Sequence, residues 1–207
     1  MPVDLASMVT PWRAAVVTSE IQSGVIGEQS ALPQLAEAAR ESMIPATARL
    51  VKAARVAGVQ VVHCTVYQRP DFKATNTNAR LFLGVRKSPV RFHPGTPAAK
   101  VIPEVGVEPD DLVLTRTHGL SPMAGTDLDP VLRNLDVRTI IVVGVSVNVA
   151  VTNLVMDAVN LGYDVVLPRD AVCGIPADFA DAVIDNTLSL LTTLTTVDEL
   201  VDIWSKQ

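Results

Sequence analysis

The sequence has 207 residues, 48% of them hydrophobic, and a formal net charge of −5. This length can bury one sizeable core, so we predict a single domain over residues 1–207. The negative charge argues against nucleic acid as a partner. No apolar run is long enough to span a membrane, and the first residues lack the basic and apolar pattern of a signal peptide. We therefore predict a cytoplasmic protein without a membrane partner.

Short apolar runs alternate with longer helical patterns along the chain. The runs rich in Val and Ile predict strands at 13–19, 59–65, 111–116, 139–146 and 163–170. Helical patterns cover 32–58, 147–162, 176–193 and a short segment at 197–206. We expect Pro45 to kink or divide the first helix and Gly58 to end it. The alternation predicts an α/β fold, a Rossmann-like three-layer sandwich in which helices cover both faces of a mainly parallel sheet.

Two segments lack a regular pattern, 66–110 and 117–130, and long loops of this kind are usually functional or interfacial. In open parallel sheets, ligands bind at the carboxyl ends of the strands. This rule selects four places as the candidate site. They are residues 18–22, 63–68, 116–121 and 146–150.

Two charged residues follow predicted strands at this edge of the sheet. Glu20 comes directly after the first strand, where its carboxylate suits a general acid or base, or else a salt bridge or a helix cap. Arg116 ends the third strand. Its guanidinium is a poor proton donor but a good clamp for a substrate carboxylate, and a structural ion pair explains it equally well.

The stretch GVSVNVA, residues 144–150, passes from the fourth strand into a helix within a few residues. Amide groups at a helix N-terminus have no partner within the helix, so this turn suits an oxyanion. Any strand-to-helix turn shares that property. Ser146 or Asn148 would ordinarily serve as the helix cap.

Histidine and cysteine give few further candidates. His118, in a loop, is a candidate for proton transfer or simply an exposed side chain, whereas His63 lies in a strand pattern and is predicted to be a core residue. No histidines share a ligand spacing, so a catalytic metal is not predicted. Cys64 and Cys173 are predicted to be buried thiols.

Three motifs, in order along the chain, resemble the isochorismatase-like hydrolase superfamily, which includes nicotinamidases and N-carbamoylsarcosine amidases. They are VVTSEIQSGVIG from residue 16, TRTHGLSPMAGTDLDPVLRNL from residue 115 and GVSVNVAVTNLVMDAVNLGYDVVLPRDA from residue 144. Such proteins use an Asp, a Lys and a nucleophilic Cys. The resemblance places these roles on Glu20, Arg116 and Ala150, so all three residues differ from the usual triad.

The resemblance also implies the rest of the site. The amides of Ser146 and Ala150 match an oxyanion hole that often contains a cis peptide, and Gln22, Val147 and His118 join Ser146 as expected substrate or oxyanion residues. The metal-binding residues of nicotinamidases have no counterpart in this chain, so neither a metal nor another cofactor is predicted. A homodimer or homotetramer is the assembly that the resemblance implies.

Three functional hypotheses follow from these residues. The first is a hydrolase that uses Glu20 as acid or base on water, Arg116 to anchor a small anionic substrate and His118 to assist. The isochorismatase branch also acts without the cysteine, because a carboxylate protonates a vinyl ether and water completes the hydrolysis. The second is a catalytically silent binding protein in which Glu20 and Arg116 form a fixed ion pair. The third is a thiol enzyme whose nucleophile has moved to Cys64.

Overall fold

The framework of the molecule is a parallel sheet that contains all five predicted strands. The computed structural model describes residues 4–206, which include seven strands. They are β1 (Ala14–Ser19), β2 (Gln60–Val66), β3 (Leu112–Arg116), β4 (Thr139–Val145), β5 (Asp164–Pro168), β6 (Val172–Cys173) and β7 (Thr193–Thr195). Their order is β3-β2-β1-β4-β5-β7, with β6 also paired to β4, and every pair is parallel.

Nine α-helices are present within residues 4–206. They are α1 (Leu5–Met8), α2 (Ser23–Ile26), α3 (Pro33–Glu41), α4 (Met43–Ala57), α5 (Arg80–Lys87), α6 (Leu128–Asn134), α7 (Thr152–Asn160), α8 (Ala177–Asn186) and α9 (Val197–Trp204). None of the helices in this part of the chain is long and apolar enough to cross a membrane.

Two hydrophobic cores lie on opposite faces of the sheet, and together they make the predicted three layers. Along β1, Ala14 and Val16 belong to one core, while Ala15 and Val17 belong to the other, because successive strand side chains point to opposite faces. Helices α3, α4 and α9 contribute to the first core, and α6, α7 and α8 contribute to the second. The central strands are apolar throughout because both of their faces are covered.

Some predicted helix bounds need correction. The helix predicted over 32–58 is divided at Ser42, three residues before Pro45, and Pro45 lies in the first turn of α4, where a missing amide hydrogen breaks no helical bond. Gly58 ends α4 in the left-handed conformation, with a φ of 76°, as predicted. The helix predicted over 176–193 was too long. It ends at Asn186, and the residues after it form a short 3₁₀ turn and then β7.

The sequence patterns also missed several elements, including two near the carboxyl edge of the sheet. Helix α5 lies within the 66–110 segment, and none of its residues is fully buried. Strand β6 pairs with Gly144 and Val145, the last residues of β4.

Candidate active site

The carboxyl ends of four neighbouring strands open onto one cavity of about 260 Å³. Glu20 follows β1, Gln68 follows β2, Arg116 ends β3 and Ser146 follows β4, and all four residues line this cavity. All four come from the stretches that the strand-end rule selected, and Gln68 is the last residue of its stretch. The topology therefore brings the four stretches to one site.

Glu20 has an unusual backbone conformation. Its φ is 53°, in the left-handed region that residues other than glycine seldom adopt, and its amide donates to the carbonyl of Cys64 at 3.0 Å. This bond continues the pairing of β1 with β2 by one residue. The left-handed conformation of Glu20 then changes the direction of the chain at the end of β1. Non-glycine residues in this region are often found at functional sites.

Arg116 reaches across the end of β2 to Glu20. Its Nη2 donates to Glu20 Oε1 and, at 3.1 Å, to the carbonyl of Leu120. The Arg116 side chain is 4% exposed, and that of Glu20 is 20% exposed. Nε and Nη1 of Arg116 are buried without a hydrogen-bond partner in the described residues. A buried guanidinium with two unpaired nitrogens is unusual and indicates that an acceptor is missing.

The turn after β4 is held close to the end of β1. A Cβ on Gly144 would lie 2.3 Å from the carbonyl oxygen of Ser19, so only glycine allows this approach. The hydroxyl of Ser19 donates to the carbonyl of Val145 at 2.9 Å, and the Val145–Ser146 peptide is cis. A π-helical turn, Val147–Val151, leads into α7 and places Ala150 at the cavity wall.

Ser146 and Asn148 do not cap the helix as predicted. The Ser146 hydroxyl donates to Asn148 Oδ1 at 2.6 Å, and Asn148 Nδ2 donates to the carbonyl of Ile175 at 3.2 Å. Neither side chain accepts from a backbone amide of the turn, because each is engaged in this chain of bonds. The two residues instead join the turn to the segment before α8.

Two residues that the resemblance placed at the site lie outside the cavity. Gln22 is fully buried, and its amide bonds with the backbone of Val66 and Ala99, which uses both its donor and its acceptor. Its function is to join loops that are distant in sequence. Val147 is fully buried in the core beneath α7 and α8. Neither side chain is positioned to contact a substrate.

The two histidines of interest have different environments. His118 is exposed, lines the cavity and makes no side-chain hydrogen bond within residues 4–206. His63 is a core residue, as predicted. Its Nδ1 lies 3.0 Å from the Thr18 hydroxyl, and its Nε2 lies 3.3 Å from Asp111 Oδ2. Burial lowers the pKa of His63 below its ordinary value, although Asp111 opposes this shift.

Cys64 is a poor candidate for a nucleophile. It is 3% exposed, and burial raises the pKa of its thiol to about 12. It lines a second, smaller cavity of about 140 Å³, which shares Arg116, Thr117 and His118 with the main cavity. A thiol with this pKa has almost no thiolate at neutral pH, which argues against a relocated nucleophile. Cys173 is half-buried, and the two cysteines are not bonded to each other.

Most of the main cavity is lined by apolar side chains. They include Val25, Leu35, Val66, Leu81, Phe82, Val85, Phe92, Leu120, Val149 and Ile175. Three of them, Leu81, Phe82 and Val85, come from α5, which forms part of one wall. Besides Arg116, two lining residues carry buried side-chain atoms that have no partner within residues 4–206, Gln68 Oε1 and Thr75 Oγ1.

Sequence reasoning had not singled out these apolar and polar lining residues. Gln68 was within its reach, since it lies at the limit of the stretch selected after β2. Residues 4–206 contain no group of three or more His, Cys, Asp or Glu side chains arranged to hold a metal ion.

Comparison with known proteins identifies the family. The isochorismatase domain model matches residues 14–199, which is most of the chain. The chain belongs to the isochorismatase family. A solved cysteine hydrolase from Pseudomonas syringae pv. phaseolicola is similar to it, with a TM-score of 0.83 and 25% identity, over 100% of this chain and 96% of that one.

Two curated relatives match this chain over shorter stretches. The isochorismatase family protein YwoC of Bacillus subtilis is 34% identical over 74 residues, which cover 36% of this chain and 39% of YwoC. Ureidoacrylate amidohydrolase RutB of Agrobacterium fabrum is 28% identical over 142 residues, which cover 63% of this chain and 62% of RutB. The chain thus spans less than two thirds of the length of either relative.

Proposed function

We propose that this chain is a hydrolase of a small anionic molecule that works without a cysteine nucleophile. Glu20 acts as the acid or base on water, Arg116 anchors the substrate and His118 assists. The observation that carries the proposal is the hydrogen bonding of the Arg116 guanidinium. One of its nitrogens holds Glu20 at the cavity, and two others are buried and have no partner in the part of the chain that the structure describes. An anionic group of the substrate would supply the missing acceptor.

A water-based mechanism fits these residues. The Glu20 carboxylate accepts a proton from water while the water oxygen attacks the acyl carbon of an amide or ester. The negative charge that develops on the carbonyl oxygen faces the turn that contains Ser146 and Ala150. When the bond from the acyl carbon to the leaving group breaks, Glu20 returns its proton to that group. The products are a carboxylic acid and an amine or alcohol, and Glu20 is regenerated.

Two observations argue for water in place of a covalent intermediate. The residue that the sequence resemblance places at the family's nucleophile position is Ala150, whose methyl group cannot attack an acyl carbon. The thiol of Cys64, the one cysteine that lines either cavity, is buried with a pKa raised to about 12. The name of the similar ureidoacrylate amidohydrolase favours an amide-type bond as the first substrate class to test.

A second candidate function is a silent binding protein on the same fold. The direct contact between Glu20 and Arg116, together with Ala150, supports it. In that case the same cavity would bind an anion without turning it over.

A substrate panel tests the proposal and separates it from the alternative. Purified full-length protein is assayed against carboxylate-bearing amides, esters and vinyl ethers, before and after treatment with iodoacetamide. We expect turnover that the alkylating agent does not reduce. Loss of turnover on alkylation would overturn the cysteine-free mechanism, and binding without any turnover across the panel would favour the silent binding protein.

A further inference from the structure

We infer that the ligand of this site is an amphiphilic carboxylate of about ten non-hydrogen atoms in all, in which a hydrophobic chain or ring ends in the anionic group. The inference rests on the proposed function because it places that substrate in the main cavity. The proposed function requires only a small anionic substrate. The inference adds that this substrate also has a hydrophobic part.

The apolar side chains that line the cavity require a hydrophobic part in the ligand. Phe82, Phe92 and Leu35 line the cavity together with further Val, Leu and Ile side chains. A small polar anion would leave most of this wall against water, which is unfavourable for apolar surface. A cavity of about 260 Å³ has room for roughly nine water-sized groups, at about 30 Å³ for each. A medium-length hydrocarbon body therefore fits.

Polar atoms in the cavity wall require that the ligand also has an anionic end. Besides Arg116, the lining residue Thr75 carries a buried hydroxyl that has no partner among the described residues. The unpaired nitrogens of Arg116 need an acceptor, and the hydroxyl of Thr75 can also donate to one. A carboxylate has two acceptor oxygens. A neutral hydrocarbon would leave all of these atoms unpaired, so the ligand carries a polar anionic end.

The charge around the cavity supports the same class. Segment 66–100, which supplies α5 and much of the cavity wall, contains seven of the 17 Lys and Arg residues and one of the 22 Asp and Glu residues. Its formal net charge is +6, whereas the whole chain carries −5. On α5, the basic residues Arg80, Arg86 and Lys87 are exposed and make no salt bridge with residues 4–206. A basic surface beside an apolar cavity attracts an anion that has a hydrophobic body.

Calorimetric titration with two matched ligand series tests the inference. The full-length protein is titrated with straight-chain carboxylates from butanoate to decanoate and with the primary alcohols of the same lengths. We expect the dissociation constant of the carboxylates to fall about fourfold for each added methylene, until the chain fills the cavity near octanoate. Alcohols of equal length should bind at least tenfold more weakly.

Two variants test which cavity residues bind the hydrophobic part and the carboxylate of the ligand. Phe82→Ala should weaken the chain-length dependence and keep the preference for carboxylates. Arg116→Lys should reduce that preference and keep the chain-length dependence. Leu83→Ala is the matched control for the first variant, because Leu83 lies on the same helix, is 44% exposed and does not line the cavity. Thermal unfolding of each variant verifies that it is folded.

The outcomes separate this inference from the proposed function. Equal binding of short and long carboxylates, or no binding by any of them, would overturn the amphiphilic ligand even if the enzyme hydrolyses a small polar amide. The predicted binding pattern, without hydrolysis of the corresponding amides and esters, would support the ligand class and reject the hydrolase.

Discussion

Glu20 and Arg116 form an ion pair across the end of β2, the strand that separates β1 from β3 in the sheet. Arg116 uses Nη2 for this contact and for the carbonyl of Leu120, which leaves Nε and Nη1 without a partner within residues 4–206. The pair thus holds the carboxylate at the cavity and keeps donor capacity for a second anion. A purely structural pair would not require that spare capacity.

Replacement of Arg116 by Lys is predicted to raise KM for an anionic substrate about 10- to 100-fold, with a smaller effect on kcat. Lysine keeps the positive charge but has no planar set of donors, and a charge-assisted hydrogen bond is worth about 1.5–3 kcal/mol. Steady-state kinetics measures both constants. Arg138→Lys is the control, because Arg138 is exposed and lies just before the opposite end of β4. A change in kcat alone would rule out an anchoring role.

A cysteine at position 150 is predicted to become the reactive thiol of the protein. Ala150 lines the cavity, so the side chain of Ala150→Cys would be within reach of iodoacetamide. Wild-type protein should remain unlabelled at neutral pH, because burial raises the pKa of Cys64 to about 12 and also raises the pKa of Cys173. Intact-mass spectrometry counts the added groups, and Ala150→Ser controls for the added volume. Rapid labelling of wild-type Cys64 would contradict this account.

The basic residues of α5 are predicted to speed substrate capture. Charge reversal in the double variant Arg86→Glu, Lys87→Glu should lower kcat/KM for an anionic substrate about tenfold at low ionic strength, because it replaces attraction by repulsion on a helix that lines the cavity. The difference should nearly vanish at about 0.5 M salt, where exposed charges are screened. Arg138→Glu changes charge far from the site and should have little effect. A difference that persists at high salt would point to a disturbed helix instead.

Stability is predicted to fall in mild acid because of the buried contact between His63 and Asp111. Burial lowers the pKa of His63, so the unfolded chain binds more protons than the folded one below about pH 6.5, the ordinary histidine value. Burial of Asp111 opposes its ionisation, but hydrogen bonds from Arg55 and from the Glu108 amide outweigh that effect and lower its pKa. Both contributions are fully present above pH 6.5. The histidine part is lost first as the pH falls, and the aspartate part is lost at lower pH.

Urea unfolding between pH 5 and pH 8 measures this dependence. Each proton taken up on unfolding corresponds to a slope of at most about 1.4 kcal/mol per pH unit. His63→Gln should flatten the histidine part of the slope and lower stability by about 1–3 kcal/mol, since it disturbs two buried hydrogen bonds. His118→Gln replaces an exposed histidine and should leave the slope unchanged. An unchanged slope in His63→Gln would contradict the assignment.

The strands and the edge that holds the site were predictable because they depend on local pattern. Central parallel strands are buried on both faces, so they appear as runs of Val and Ile, and their carboxyl ends meet at one edge. Glu20 and Arg116 could be placed there for that reason. Their contact was one of the alternatives that the sequence raised, but the sequence could not decide for it, because the contact depends on the strand order β3-β2-β1, which no local pattern contains.

The errors at the site have the same origin. Gln22 looked available for a ligand, but its amide bonds with backbone groups at residues 66 and 99, which only the fold brings near. Val147 is the first residue of the π-helical turn, but its side chain is directed into the core. Helix α5 was missed because it is short, contains Gly84 and has no fully buried residue to produce a strong periodic pattern.

The turnover number of Glu20→Gln, measured beside that of the wild type on the best substrate from the panel, tests the central claim most directly. Glutamine keeps the size of the side chain but cannot accept a proton from water, so kcat should fall about 100- to 10,000-fold while binding of the substrate is largely kept. Glu28→Gln, at an exposed position eight residues further along the chain, should retain full activity. A Glu20→Gln variant that turns over substrate at the wild-type rate would contradict the proposed mechanism.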